Sequence, residues 1–389
     1  MQLSEQIQRV ATSATMAMTQ AARDRLKAGH PVISLSAGEP DFATPDHILE
    51  AARRAMLDGK TGYTAVDGIA ELKQAIVAKF ARDNDLSVTP AQINVSPGGK
   101  AVLWNALAVT VGPGDEVIVP TPCWVSYPEM VKLTGATPIM LPGGPDFKIT
   151  AEQLSAAITP ATRWLMLNSP SNPTGAVYSK AELHALADVL RNHPQVMVLS
   201  DDIYEALVFG DATFATMASV APDLSDRVLT MNGVSKAYSM TGFRIGYGTG
   251  PEWLIAAMRK FMGQTTSNPT SISQWAAVAA LNGPQDFLND WRTQYRTRGK
   301  IMTEALNAAG LSCALPDGAF YVFANCEVVM EKLGFQSDAD FAMALLNDAD
   351  VATVPGSAFH APGHIRLSYA AATEEIEQAC SRIMEFCEL

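Results

Sequence analysis

The 389-residue sequence predicts an α/β fold, with a large domain whose mainly parallel central sheet is flanked by helices and a smaller α/β domain formed by both termini. Three observations carry this expectation. From about Gly98 to Gly250, short apolar runs alternate with helical patterns, which is how parallel strands joined by crossover helices read in a sequence. After Pro251 the pattern becomes helical and then gives a second, smaller set of strands. The segment up to "GEPDF" has no core-sized apolar content, so it is expected to pack on the C-terminal lobe rather than fold alone.

In chain order, the strand candidates of the large unit are "GDEVIVP", "ATPIMLP", "TRWLMLN", "VMVLSDD", "RVLTMN" and "RIGYGTG". Among them, "KAELHALADVLRNH" has helical spacing and places Leu183, Leu186, Ala187 and Leu190 on one face. "EWLIAAMRKFMG", "SISQWAAVAALNG" and an amphipathic stretch from Gln285 to about Ala309 follow as helices. The second unit has "AFYVFAN", "VATVPG" and "HIRLSY" as strands, with "ATEEIEQACSRIMEFC" as a closing helix. Residues 45–290 are assigned to the large domain, and residues 1–44 with 291–389 to the small one. No internal repeat, low-complexity tract or long linker interrupts the chain.

Composition narrows the function classes. A formal charge of -12, from 28 Lys+Arg against 40 Asp+Glu, repels nucleic-acid phosphates, and no dense basic run overrides it locally. Nucleic acid is not an expected partner. The first thirty residues are polar and lack the apolar core of a secretion signal, and no stretch of about 18 uncharged apolar residues follows, so a cytoplasmic protein without a membrane partner is expected. The five cysteines, Cys123, Cys313, Cys326, Cys380 and Cys387, contain no CxxC pair, which suggests neither a disulfide framework nor a thiolate metal cage. Cys123 alone falls in a candidate site, where it reads as a small apolar filler.

Ligands of α/β sheets sit beyond the carboxyl ends of the strands, and polar groups crowd several of those ends here. "MLNSPSNPTG" places Asn168 and Asn172 there, "VLSDDIYE" places Asp201, Asp202 and Tyr204, and "NGVSK" places Ser235 and Lys236. In "SPGGKAVLWNAL", Gly98 and Gly99 open a helix. Such a turn either simply reverses the chain or frees backbone N–H groups for an anion that the helix dipole favours. Ser235, Lys236 and Arg244 could add donors to the same anion, Arg244 through a planar fork suited to phosphate. As a structural residue Lys236 would snorkel from a strand end. As a nucleophile it needs an amine with a pKa lowered by burial or by neighbouring cations, and its small, apolar neighbours with Arg244 nearby suit that role. Asp201 at an apolar strand end needs a positive partner, either an arginine or a protonated pyridine nitrogen. Asp, Tyr, Asn and Lys converging beside an anion site describe pyridoxal 5′-phosphate better than a nucleotide, and no dinucleotide-type glycine fingerprint follows the first strands.

"LSAGEPDFATP", "GYTAVDGIAELKQAI", "PGGKAVLWNAL", "GDEVIVPTPCWVSYPEM", "NSPSNPTGAVY", "SDDIYE", "NGVSKAYSMTGFRIGY", "PDGAFYVF" and "HIRLSYA" occur in this order over essentially the whole chain. In them the sequence resembles the class I, fold-type I pyridoxal-phosphate-dependent aminotransferases, most closely the bacterial aspartate aminotransferase-like branch. The resemblance implies a Schiff base between Lys236 and the cofactor, with the freed amine shuttling the substrate proton. It implies that Asp201 pairs with the pyridinium nitrogen, that Asn172 and Tyr204 hydrogen-bond the phenolate oxygen, and that Trp124 stacks on the ring. Gly99, Lys100, Ser235 and Arg244 would surround the phosphate, the first two through backbone N–H groups. Arg366 would clamp the substrate α-carboxylate, Gly38 would bring its backbone close to it, and Trp124 and Asn172 would also border the substrate. Tyr63 would reach the phosphate of a neighbouring subunit, which implies a homodimer with shared sites.

Four positions depart from the family pattern. Gly233 stands where many relatives have serine, so one phosphate contact is either missing or moved to Ser235. Ala101 follows "GGK" where close relatives often read "GGKQ", and Ala11 and Thr12 replace the lysine and proline of "KPSAT" in a segment that can line the substrate entrance. The expected reaction is amino-group exchange between an L-amino acid, aspartate or aromatic, and a 2-oxo acid such as 2-oxoglutarate. Trp104 and the Met- and Trp-bearing helices offer surface for an aromatic ring, or simply pack the core. Pyridoxal-phosphate-dependent β-elimination or C–S cleavage, and a non-catalytic cofactor-binding regulator, are the alternatives. Lys236 and the lack of a spare domain count against the regulator.

Overall fold

The protein is described by a computed structural model over residues 3–388. A short strand, β1 (Ile33–Ser34), precedes the main sheet. That sheet contains β2 (Ile93–Ser96), β3 (Glu116–Thr121), β4 (Thr137–Pro142), β5 (Thr162–Asn168), β6 (Met197–Asp201), β7 (Val228–Gly233) and β8 (Gly246–Thr249). Their spatial order is β2-β8-β7-β6-β5-β3-β4. β3 to β7 are parallel to their neighbours in that series, whereas β8 is antiparallel to both β2 and β7.

Alternation along the strands sorts side chains into two cores. Val117, Val119, Trp164 and Met166 pack with Leu103 and Leu107 of helix Gly99–Thr110 and Met258 of helix Glu252–Thr265. Ile118, Leu165 and Leu167 point the other way, against Leu183, Leu186, Ala187 and Leu190 of helix Lys180–Arg191. The sheet is therefore covered on both faces, as a parallel sheet requires. Helix Lys180–Arg191 starts at a reciprocal cap: the Ser179 side chain accepts from the Glu182 N–H, and the Glu182 carboxylate accepts from the Ser179 N–H at 2.7 Å.

The smaller unit holds β9 (Tyr321–Asn325), β10 (Val351–Ala352), β11 (Val354–Pro355) and β12 (His364–Ser368). β11, β12 and β9 form an antiparallel sheet, and β1 pairs in parallel with β10, so the N-terminal segment is tied into the C-terminal unit. Met18, Ala22, Val32 and Leu35 share a core with Phe320, Leu345 and Ile383. Residues 5–11 behave differently from this expectation. Helix Glu5–Gln8 leads to Ala11, whose N–H donates to Glu129 Oε2 at 2.8 Å on helix Ser126–Thr134 of the large unit.

Helix Phe287–Ala308 gives Tyr295, Met302 and Leu306 to the core of the smaller unit, and Leu288 and Trp291 to a further core of the large unit that includes Ile93, Ile245 and Tyr247. It also anchors the segment at residues 38–44, which crosses from the small unit to the large. Phe42 stacks on Trp291 with ring centroids 4.7 Å apart, and Asp41 accepts two bonds from Arg298 at 2.9 and 3.0 Å. Among the described residues, no helix is long and apolar enough to cross a membrane.

Candidate active site

Three neighbouring parallel strands deliver the central polar groups to one end of the sheet. β5 ends at Asn168 and β6 at Asp201, which are direct register partners, and Asp201 is in turn opposite Met231 of β7. The chain leaving β7 then reaches Lys236 within three residues of Gly233. Asn168 staples the first two ends: its amide donates to the Asp201 carbonyl at 2.9 Å, while its side-chain oxygen accepts from the Asn172 N–H at 2.8 Å.

Asp201 is buried, and its two oxygens accept from the Tyr127 hydroxyl at 2.6 Å and from the Ile203 N–H at 3.2 Å. Burial pushes its pKa up to about 6, against the opposing pull of those donors and of Lys236. Such a carboxylate is suited to a cationic partner that arrives from outside the chain. Tyr127 was not singled out from the sequence, although it lies three residues after Trp124 and its ring makes a T-shaped contact with that indole at 5.4 Å.

Lys236 is partly buried, and its Nζ donates to the Gly38 carbonyl, contributed by the crossing segment. Burial holds the amine down at about 8; Arg366 and Arg244 add to the effect, while Glu39 and Asp201 oppose it. The neutral amine is the nucleophile, so lowering the pKa raises its reactive fraction at neutral pH. At pH 7 that fraction is about 10%, against about 0.03% for an ordinary lysine, an advantage of roughly 300-fold. In the cofactor-free protein, an amine-selective acylating reagent followed by peptide mapping should therefore modify Lys236 with a midpoint near pH 8. A midpoint shared with the surface lysines, above pH 10, would remove the activated-amine reading.

At the far side of the lysine loop, helix Gly99–Thr110 begins after Gly98 at φ 92. A Cβ at Gly98 would overlap the Arg244 guanidinium, so the glycine lets an arginine and the free N–H groups of a helix start occupy one place. Arg244 itself has left-handed backbone, φ 55, and donates to the Thr241 carbonyl at 2.9 Å. Lys100 projects its ammonium over the Trp124 ring, 4.8 Å from the centroid. Burial and the charge of Arg244 hold its pKa below the ordinary lysine value. Ser235 is buried nearby. A side chain at Gly233 would meet Ile203 and the backbone of Gly246 at 3.1–3.2 Å, so the hydroxyl found there in many relatives has little room in this chain.

The small unit supplies Arg366 from β12. It is buried, donating to Asn172 Oδ1 at 3.0 Å and to the Ser36 carbonyl at 2.6 Å, and its Nε is buried without a partner. Among the described residues it forms no ion pair, leaving a carboxylate-binding fork with an unmet charge. Tyr204 is buried too, its hydroxyl bonded at 2.7 Å to that of Tyr321, a residue that the sequence reading passed over as strand core. Cys123 is buried, and burial pushes its thiol up to about 12, so it is inert filler as expected. Trp104 packs edge-on against Phe261 at 6.4 Å, on the core side of its helix. Tyr63 is not brought to this cluster within one chain and is 94% exposed.

The arrangement fits pyridoxal phosphate: a buried carboxylate for a ring nitrogen, an amine of depressed pKa, and a glycine-opened helix start beside an arginine. Comparisons agree. The family description "Aminotransferase class I and II" matches residues 30–383. The aspartate/prephenate aminotransferase of Cereibacter sphaeroides is 53% identical, over 99% of this chain and 98% of that one. The structure of an aspartate aminotransferase from Rhizobium meliloti superposes with a TM-score of 0.96 at 46% identity, covering 100% of this chain and 99% of the other. That of a Thermus thermophilus aspartate aminotransferase with maleate gives 0.94 at 42% identity, with 99% of each chain covered. The chain belongs to the class I and II aminotransferases, and it is a pyridoxal-phosphate-dependent enzyme.

Proposed function

We propose that this aminotransferase takes an acidic L-amino acid, aspartate, as donor and a 2-oxo acid such as 2-oxoglutarate as acceptor. The observation that carries this reading is two cations at the site that have no carboxylate partner among the described residues: buried Arg366, and Lys100 over Trp124. Arg366 would bind the α-carboxylate common to all amino acids and hold the Cα–H bond in position. Lys100 would meet the side-chain carboxylate that only acidic donors carry.

The bound cofactor supplies an electron sink for the carbanion that develops at the substrate Cα. Asp201, held by Tyr127, would keep the ring nitrogen protonated. Tyr204 and Asn172 would face the phenolate oxygen, with Trp124 against the ring face. The Gly99 and Lys100 N–H groups, Ser235 and Arg244 would surround the phosphate. Lys236 would take the Cα proton on Nζ and hold it for return, a role that suits an amine near neutrality. Gly38, whose carbonyl accepts from the free Lys236 amine, would border the carboxylate site. Tyr63 would complete the phosphate site of a neighbouring subunit in a homodimer, which accounts for a tyrosine left 94% exposed on a single chain. The large domain would span residues 45–290, with the remainder forming the small one.

A donor and acceptor panel tests this reading, with cofactor conversion followed by absorbance in the native enzyme and in Lys100→Ala. Loss of a partly desolvated charged contact should lower kcat/KM for aspartate about 10- to 100-fold and leave phenylalanine within about threefold. Equal losses for both donors would remove Lys100 from side-chain recognition. Prephenate, which also carries a second carboxylate, belongs in the acceptor panel because it is named for the Cereibacter sphaeroides relative.

A further inference from the structure

We infer that Tyr321 is a positioning residue that makes Tyr204 a stronger hydrogen-bond donor toward the cofactor and ties that donor to the carboxylate clamp. The inference rests on the proposed place of Tyr204 at the phenolate oxygen. The two hydroxyls are 2.7 Å apart, both side chains are buried, and their rings meet edge-on at 5.8 Å. Each phenol carries one proton. If Tyr204 spends its proton on the cofactor, its oxygen is available to Tyr321 only as an acceptor. The direction is then fixed: Tyr321 donates to Tyr204, and Tyr204 donates outward. A donor that also accepts is polarised, so its outward bond is strengthened.

Two further contacts set Tyr321 in place. The Arg366 guanidinium lies over its ring, 4.5 Å from the centroid. On the other side, a Cβ at Gly38 would stand 2.7 Å from the Tyr321 hydroxyl, so the absence of a side chain at Gly38 is what admits that hydroxyl to the junction. One tyrosine thus touches the carboxylate clamp, the crossing segment and Tyr204. Among the described residues, the titratable groups around Tyr204 are Tyr321, Arg366, Asp201, Tyr127 and Lys236, whose Nζ is 5.9 Å from the Tyr204 ring. Of these, only Tyr321 is hydrogen-bonded to the Tyr204 hydroxyl.

The test is a pH titration of the visible absorption band of the loaded enzyme, which reports protonation of the lysine–cofactor linkage without turnover. A donor at the phenolate oxygen opposes that protonation, so weakening the donor raises the midpoint. Tyr321→Phe keeps the ring under Arg366 and removes only the hydroxyl; its midpoint should rise by about half a pH unit, and that of Tyr204→Phe by about one unit or more. Gly38→Ala, which crowds the Tyr321 hydroxyl without deleting it, should move the midpoint the same way. A shift in Tyr204→Phe with none in Tyr321→Phe overturns the inference and leaves the Tyr204 assignment standing. No shift in either variant overturns both.

Discussion

Lys236→Ala is expected to lower turnover by at least about 10³-fold while the protein still binds pyridoxal phosphate, now without a covalent link. The size of the loss follows from what remains. Asp201 is committed to Tyr127 and to the Ile203 N–H, and burial pushes the pKa values of Tyr204 and Tyr127 well above the ordinary tyrosine value. The other amine at the site, Lys100, lies over the Trp124 ring and is assigned to the substrate side chain rather than to the Cα proton. The variant should retain its fold, because the Lys236 ammonium makes one hydrogen bond, to Gly38, and no ion pair among the described residues. Rapid mixing with excess aspartate would measure the conversion rate, and denatured protein should release the cofactor freely. Turnover within tenfold of the native enzyme would place the proton shuttle elsewhere.

The parts of this site that could be read from the sequence share one property: they are polar residues where a parallel strand should simply end. Asn168, Asp201 and Lys236 interrupt apolar runs, and strand ends are where such sheets bind ligands. Arg366 is the exception: it stands in the middle of antiparallel β12, inside "HIRLSY", and its role is implied by the family resemblance rather than by a strand end. Tyr127 and Tyr321 escaped because a tyrosine in an apolar phase looks like core, and both are indeed buried; only the hydroxyl partner distinguishes them, and in each case it lies far away in the chain. The Gly38 carbonyl that meets Lys236 is likewise 198 residues distant. In the fold, β2 was missed because "INVS" has four residues, all buried, and so no alternation to reveal a strand. Its place in the sheet comes from antiparallel pairing with β8. The contact of Ala11 with helix Ser126–Thr134 uses the Glu129 acceptor, which no local pattern announces.

Arg366→Ala should lower kcat/KM by about 10²- to 10⁴-fold, the range expected when one partner of a buried, hydrogen-bonded ion pair is removed. The argument begins with the charge itself. A buried guanidinium without a counter-ion is costly, and the chain meets that cost only partly, with the Asn172 side-chain oxygen, the Ser36 carbonyl and the rings of Tyr321 and Phe359 at 4.5 and 5.0 Å. Burial holds its pKa below the ordinary arginine value, yet it stays charged, so an entering carboxylate gains most from it. Arg366→Lys keeps the charge and loses the planar fork, so it should fall between the native enzyme and Arg366→Ala. Donor comparison separates this role from that of Lys100. Because every amino acid brings an α-carboxylate, Arg366→Ala should depress aspartate and phenylalanine alike, whereas Lys100→Ala should depress aspartate alone. A loss confined to aspartate in Arg366→Ala would exchange the two assignments, and unchanged affinity for both donors would remove Arg366 from the site.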